Sequence, residues 1–371
     1  MFDNRTLDVY VEGEMADPKR EIDELRGELA KADEELVAAL DRRARASRRI
    51  GELRRDVPGS LALDASRLPA PPRTGSDMPV ESLESIFREV RAASRGLELP
   101  AKIAYVGVEG GVPHAIARGH FGASASYVAT DSASLALDEV TRHRVEFAVL
   151  PYETHTDGPV QATIASLVST ELRIIEVVEA SPTLHLLNKT GNLADIEKIY
   201  VTPSDRVACE KGLLAVPGPS RVLDVKSPVI ACQLASEDHG AGAVASEFMA
   251  PAYGLEVARR DVMDHTERAR YAIVGSRPSS RTGENLTALV FSVRDAPGAL
   301  LDILKSFAER GVNLTKIHSR PVETEGWAYL FFVELAGHAT DRALVTAFEE
   351  LRRLTKFFKV LGSYPARDSA H

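Results

Sequence analysis

At 371 residues, with 44% hydrophobic and 27% charged side chains, the chain can hold two or three domains with buried cores of their own. A formal net charge of −9 gives no electrostatic footprint for nucleic acid or an anionic membrane, and no apolar run approaches the roughly 20 residues of a membrane span. The opening MFDNRTLDVYVEGE lacks a basic-then-apolar leader pattern, and Cys209 and Cys232, without a CxxC, read as reduced thiols, so a cytoplasmic protein with no nucleic-acid or membrane partner is expected.

Residues 18–55 carry Ile22, Leu25, Leu29, Ala32, Leu36, Leu40 and Ile50, mostly at threes and fours with charges between, which predicts an amphipathic helix. Residues 56–79 then hold five prolines and two glycines. A proline inside a helix costs about 3 kcal/mol, so no regular helix is expected from Leu68 to Pro79. A second helix is predicted from Val80 to Leu97, ahead of Pro100. Two helices cannot bury the apolar stripe of the first by themselves, so a dimerisation role is expected of them.

From Ala101 the pattern alternates. KIAYVGV, SYVAT, VEFAVLPY, LRIIEVVEA, EKIYVTP, SRVLDVK, GAVAS and ARYAIVG are short β-branched runs, separated by helical segments such as Ala133–His143 and Val229–Glu237. That is an α/β pattern with largely parallel strands. Residues 101–276 suffice for two lobes around a cleft, with ligands near the carboxyl ends of strands. Residues 277–286 are a polar linker rich in Gly, Pro and Ser. Beyond it the chain reads strand (287–293), helix to Gly311, strands Asn313 to Pro321 and Trp327 to Ala336, helix Arg342 to Leu354, and a strand near Phe358. The order βαββαβ places both helices on one face of a sheet. No metal site or cofactor is expected.

In this last stretch Gly298-Ala299-Leu300, Gly311-Val312-Asn313-Leu314-Thr315, His318-Ser319-Arg320-Pro321 and Lys359-Val360-Leu361-Gly362-Ser363-Tyr364-Pro365 follow one another in a family order. The segment resembles the ACT domain of phenylalanine-regulated prephenate dehydratases. Only His318 departs, where the family usually has Glu. The turn before Ala299 and Leu300 aims backbone amides of a helix N-terminus at a ligand, where they favour a carboxylate. Asn313 offers a polar contact and Leu314 an apolar wall; by resemblance, His318, Ser319 and Arg320 close the site across a subunit interface. The implied effector is L-phenylalanine or a related aromatic, and the implied assembly a homodimer or homotetramer.

The chain from about residue 18 to 365 is similar to the P-proteins, the fused chorismate mutase–prephenate dehydratase–ACT enzymes. The resemblance divides it into a degenerate chorismate-mutase-like α-helical domain (1–98), a prephenate-dehydratase-like two-lobed α/β domain built like the periplasmic binding proteins (101–276), the linker (277–286) and an α+β ACT domain (287–371). In the mutase family, cations hold a dianionic substrate, a task suited to guanidinium groups. Arg26 and Arg43 match family arginines, Arg54 stands where Lys is common, and Asp64 and Arg67 fit an Asp-x-x-Arg-Glu motif whose Glu is Leu68 here. Glu98 stands where relatives have Gln or Glu. The bland reading of these arginines is a solvated helix face.

The dehydratase motifs survive as frames with altered contents. Gly107-Val108-Glu109-Gly110-Gly111-Val112-Pro113-His114 occupies the Gly-Pro-Glu-Gly-Thr-x-Ser loop. Leu150 to Gly158 occupies the Pro-x-Glu-Asn-Ser-x-x-Gly position and keeps Glu153, Thr156 and Gly158, with Thr154 and His155 for Asn and Ser. The Thr-Arg-Phe signature reads Ala269-Arg270-Tyr271, so the donor the family places beside the leaving hydroxyl is missing. Arg270 either pairs a substrate carboxylate or forms a salt bridge, and His155 is a new titratable group. The implied catalytic set is Glu153, His155, Thr156 and Arg270, acting on prephenate or a chorismate-like molecule. Three functions stay open: a lyase with altered chemistry, such as non-aromatising prephenate decarboxylation; a non-catalytic phenylalanine sensor; and a weak prephenate dehydratase.

Overall fold

The computed structural model describes residues 18–55, 77–98, 101–155, 158–181, 183–216, 221–265, 268–293, 296–322 and 328–366. The N-terminal element is helical, with α1 (Pro18–Arg55) and α2 (Val80–Glu98). Arg43 Nε donates to Ser94 Oγ at 2.8 Å, and Ser47 Oγ to Glu98 Oε1 at 3.2 Å. Contacts whose numbers rise together on both sides mean that the helices run parallel. Gly51 lets them close, because a Cβ there would come within 2.4 Å of the Glu98 carbonyl oxygen. Before Arg43, α1 projects away: Ile22, Leu25, Leu29 and Leu36 are between 48% and 66% exposed. Asp64 and Arg67 lie outside the described residues.

The first lobe contains β1 (Lys102–Val106), α3 (Val112–Phe121), β2 (Ser126–Thr130), α4 (Ala133–Thr141), β3 (Phe147–Thr154), β4 (Gly158–Pro159), α5 (Gln161–Val168) and β5 (Arg173–Ala180). The second lobe has β6 (His185–Asn188), β7 (Lys198–Val201), α6 (Pro203–Ala208), α7 (Glu210–Leu214), β8 (Arg221–Asp224), α8 (Pro228–Glu237), β9 (Ala241–Ala245), α9 (Met249–Tyr253) and β10 (Glu256–Arg259). The chain then returns to the first lobe as β11 (Ala269–Gly275). The sheet orders are β2-β1-β3-β11-β5, with β4 beside β3, and β10-β6-β9-β7-β8.

The expected largely parallel arrangement is corrected to a mixed one. β1 is parallel to β2 and β3, but β11 runs antiparallel between β3 and β5. In the second lobe β7 is parallel to β8 and β9, while β6 is antiparallel to β9 and β10. The reason is the double crossing: a strand returning from the other lobe enters the first sheet from the opposite end. β6 (HLLN) holds no β-branched residue and β10 (EVAR) one, so neither stands out in the sequence as a β-branched run.

The C-terminal domain is β12 (Asn285–Val293), α10 (Ala299–Ala308), β13 (Leu314–Val322), β14 (Ala328–Ala336), α11 (Arg342–Leu354) and β15 (Thr355–Pro365). Its antiparallel sheet has the order β13-β14-β12-β15. β12 starts at Asn285, within the expected linker, and β15 is an 11-residue strand rather than a local one. On one face Leu289, Phe291, Phe331 and Val333 pack with Ile303 and Phe307 of α10 and Leu344 and Phe348 of α11. On the other, Ala288, Val290, Leu330, Phe332, Leu361 and Tyr364 share a core with Leu150, Tyr152, Ile164, Leu167 and Ile174 of the first lobe. Gly362 lies so close to that lobe that a Cβ would sit 2.1 Å from the Ile174 carbonyl oxygen. Among the described residues no helix is long and apolar enough to cross a membrane.

The free apolar stripe of α1 generates a prediction. Deleting residues 1–98 is expected to lower the number of subunits per particle, taken from light scattering and the mass of the shortened chain, while the remaining two domains keep their melting temperature. An unchanged assembly would count against a dimerising α1.

Candidate functional site

At the open end of the first sheet, Ala269 of β11 lies in register between Thr154 of β3 and Ala180 of β5. Ala269 packs on the α3 side of the sheet, against the cluster of Ile103, Tyr105, Phe121 and Tyr271. The register shifts between Arg270 and Tyr271, leaving Tyr152 as an extra residue on β3. A bulge of this kind re-aims side chains, and both Tyr152 and Glu153 turn toward the C-terminal domain.

There Glu153 accepts from Arg270 Nη1 at 2.6 Å and from Lys316 Nζ at 2.7 Å. The same Arg270 nitrogen lies 2.9 Å from Glu334 Oε1, and Tyr364 Oη also donates to Glu334. The Arg270 guanidinium lies over the Tyr152 ring, 5.6 Å from its centroid. Arg270 and Glu153 come from the first lobe, whereas Glu334, Lys316 and Tyr364 come from the C-terminal domain. The Glu334 side chain is 1% exposed, so this is a buried ionic seam between domains. Beside it opens a cavity of about 610 Å³, walled by Thr154, His155, Ala180, Ser181, Arg268 and Lys316 among others.

A second concentration of motif residues faces the other lobe. Gly110, at φ +81°, lies against Pro228 and Met249, and its amide donates to His114 Nδ1 at 3.1 Å. That bond places the neutral imidazole proton on Nε2. The His114 ring stacks on Tyr105 at 4.7 Å and meets the edge of Phe248 of the second lobe at 5.2 Å. Burial pushes the His114 pKa down, which favours the neutral ring.

The sequence-derived candidates are therefore distributed. Glu153 and Arg270 form the seam and His155 lines its cavity, while Thr156 lies outside the described residues. Of its two readings, Arg270 adopts the salt bridge. Arg43 and Glu98 sit at the α1–α2 contact, whereas Arg26 is exposed and paired with Asp23 on its own helix. Seventeen residues of helix, about 26 Å, separate Arg26 from Arg43, so one chain does not bring them together. Arg54 lies in α1. Gly298 takes φ +85° at the start of α10, beside Ala299 and Leu300, and Leu314 packs in the helix-side core. The Asn313 carbonyl accepts from the Ala336 amide. His318 and Arg320 pair with Phe332 and Leu330, hence lie on the face away from α10; Ser319 pairs with Phe331 on the α10 face.

Sequence reasoning missed Lys316, Glu334 and Tyr364. One signal was available. β14 reads AYLFFVELA, apolar on both faces, and an acid within such a strand is a buried acid that needs a cation.

Residues 103–279 match the prephenate dehydratase family and 287–353 the ACT domain. The bifunctional chorismate mutase/prephenate dehydratase of Aquifex aeolicus is 35% identical over 363 residues, covering 93% of this chain and 98% of that protein. The chain belongs to the P-protein family. Among solved structures, a protein described as a novel type of quorum-quenching acylase, GqqA, is 27% identical with a TM-score of 0.61, covering 73% of this chain and all of that one. The prephenate dehydratase of Arthrobacter aurescens, solved with L-phenylalanine, is 28% identical with a TM-score of 0.60, covering 71% of this chain and 90% of that one.

In this P-protein, burial by itself would raise the Glu153 pKa, but hydrogen bonds from Lys316 and Arg270 outweigh it and hold the carboxyl below the ordinary 4.5. Its contribution to stability is fully present above that value and is lost as pH falls through the lower folded one. The stability gap between wild type and Glu153→Gln, from urea midpoints, should shrink as pH falls from about 5 toward 3. Arg270→Met strands Glu334 in the seam and should cost about 3–5 kcal/mol at neutral pH. A loss below about 1 kcal/mol would mean that the seam is solvated, like a surface pair.

Proposed function

We propose that this P-protein is a prephenate-level lyase with altered dehydratase chemistry, regulated through its C-terminal domain by L-phenylalanine or a related aromatic. In this reading residues 1–98 are the helical assembly element, 101–276 the reaction domain, 277–286 the linker and 287–371 the sensor. The relatives named prephenate dehydratase support the substrate level. The observation that carries the altered chemistry is Ala269, a methyl group at the end of β11 where the family signature has a hydroxyl donor. Departure of hydroxide with the ring carboxylate needs proton donation, and a missing donor is commonly worth about 10²–10⁴ in rate.

Decarboxylation alone has no such need. The bond to the ring carboxylate breaks, carbon dioxide leaves, its electron pair moves into the ring diene, and a ring carbon takes up a proton while the hydroxyl stays. Desolvation of the carboxylate favours the step. His155 and Thr156 are the proposed polar contacts, with Glu153 and Arg270 fixing the strand end next to His155. Ordinary dehydration is the second reading, favoured by the relatives' names.

Incubating the protein with prephenate and following products by mass discriminates between them. The expected product is a dihydro-hydroxyphenylpyruvate; robust phenylpyruvate formation would promote the dehydratase, and no product the sensor-only paralogue. Ala269→Thr alone should restore little dehydration, because Gly111 and Thr154 also differ from the family frame.

For the effector, L-phenylalanine should raise the melting temperature, since a ligand of the folded state at a hundredfold excess over Kd adds about 2.7 kcal/mol. Asn313→Ala or a bulky residue at Gly298 should weaken the shift. The absence of binding by phenylalanine, tyrosine and tryptophan in calorimetry would remove the sensor reading.

A further inference from the structure

We propose that Lys316 is a positioning residue, contributed by the C-terminal domain, through which strand β13 sets the β3–β4 hairpin of the first lobe. The hairpin pairs Glu153 with Pro159 and Thr154 with Gly158. β13 touches both limbs. Lys316 Nζ reaches both Glu153 carboxylate oxygens, at 2.7 and 2.5 Å. Two residues on and on the same face, the His318 ring covers Gly158: a Cβ there would lie 3.1 Å from His318 Cε1. Gly158, at φ +73°, has the open backbone that this approach requires. The position where the sequence departs from its family therefore rests on the hairpin.

The same strand begins at Leu314, the apolar wall of the proposed effector site, so this inference rests on the effector reading given above. The register between β13 and β14 shifts between Leu314 and Lys316. A bulge there re-aims the strand, so that Leu314 packs on the helix side while Lys316 turns to Glu153 of the first lobe. Glu153 is shared between Arg270 of its own lobe and Lys316 of the other domain, and Arg270 is shared in turn with Glu334. Displacing Lys316 unbalances every member, because half-buried charges cannot be left unpaired cheaply. The hairpin ends in Thr154 and His155, which line the cavity, so a movement of β13 is delivered to the proposed reaction site. Linkage makes the effect reciprocal: a ligand at the reaction site that engages the hairpin and the effector change each other's affinity by the same factor.

The test is hydrogen–deuterium exchange of the peptide spanning 150–160 in the full-length protein, with and without L-phenylalanine, alongside calorimetry. In wild type, saturation should change exchange of this peptide by about fivefold or more. In Lys316→Met the ligand should still bind within about threefold of the wild-type Kd while the exchange response falls to a small fraction, and Lys316→Arg should restore it. His318→Ala, a change at an exposed residue that leaves the ionic seam whole, should reduce the response at L-phenylalanine concentrations that calorimetry shows to saturate that variant. A lysine that only stabilised the seam would lower the melting temperature in Lys316→Met without removing the ligand-dependent change. Binding in wild type with no response at 150–160, or an undiminished response in Lys316→Met, overturns the proposal. Absence of any binding heat in wild type is a separate result, which fails the effector reading and this inference with it.

Discussion

Burial of one face of the C-terminal sheet against the first lobe is the constraint on which the rest depends. Leu330, Phe332, Leu361 and Tyr364 enter the same core as Leu150, Tyr152 and Ile174, so the ACT domain is continuous with the lobe it adjoins. Into that seam the two domains bring two acids and two cations. Each buried ion costs several kcal/mol to desolvate, which only close, mutual pairing offsets. A hydrophobic seam of the same shape could be as stable. What the ionic version adds is a single permitted docking register, because any sliding leaves Glu334 buried without Arg270.

That register fixes the edge of the sheet where function is proposed. The bulge at Tyr152 sends Glu153 to the seam, and the strand neighbours Thr154, Ala269 and Ala180 are thereby held in one row. On the opposite side of the lobe, Gly110 allows the α3 loop to approach Pro228 and Met249 closely enough for His114 to meet Phe248. The two thiols take no part: burial pushes both Cys209 and Cys232 up to about 12, so neither is a nucleophile at neutral pH.

The helical N-terminus obeys a different rule. α1 and α2 meet at small or polar residues, Ser47, Gly51 and Ser94, which allow close approach but bury little apolar surface. The leucines that would supply burial lie on the projecting part of α1. Such an element gains its stability from a surface outside its own two helices.

The amino-acid pattern determined a great deal. The strand runs SYVAT and ARYAIVG, the helix from Arg342 to Leu354 and the βαββαβ order follow from local periodicity and turn chemistry, which depend on neighbours in sequence. The family motifs identified the lineage and singled out Ala269 as a missing donor. Strand direction was not legible, because β11 takes its place only after the chain has visited the second lobe. Nor was the fate of Arg270. Its charge is evident in sequence, but whether it meets a ligand or Glu334, 64 residues away, depends on which face of β14 turns toward the first lobe. Alternation along β14 separates its two faces, yet both are apolar, so only tertiary packing could decide which one received the acid, the lysine and the phenol that complete the seam.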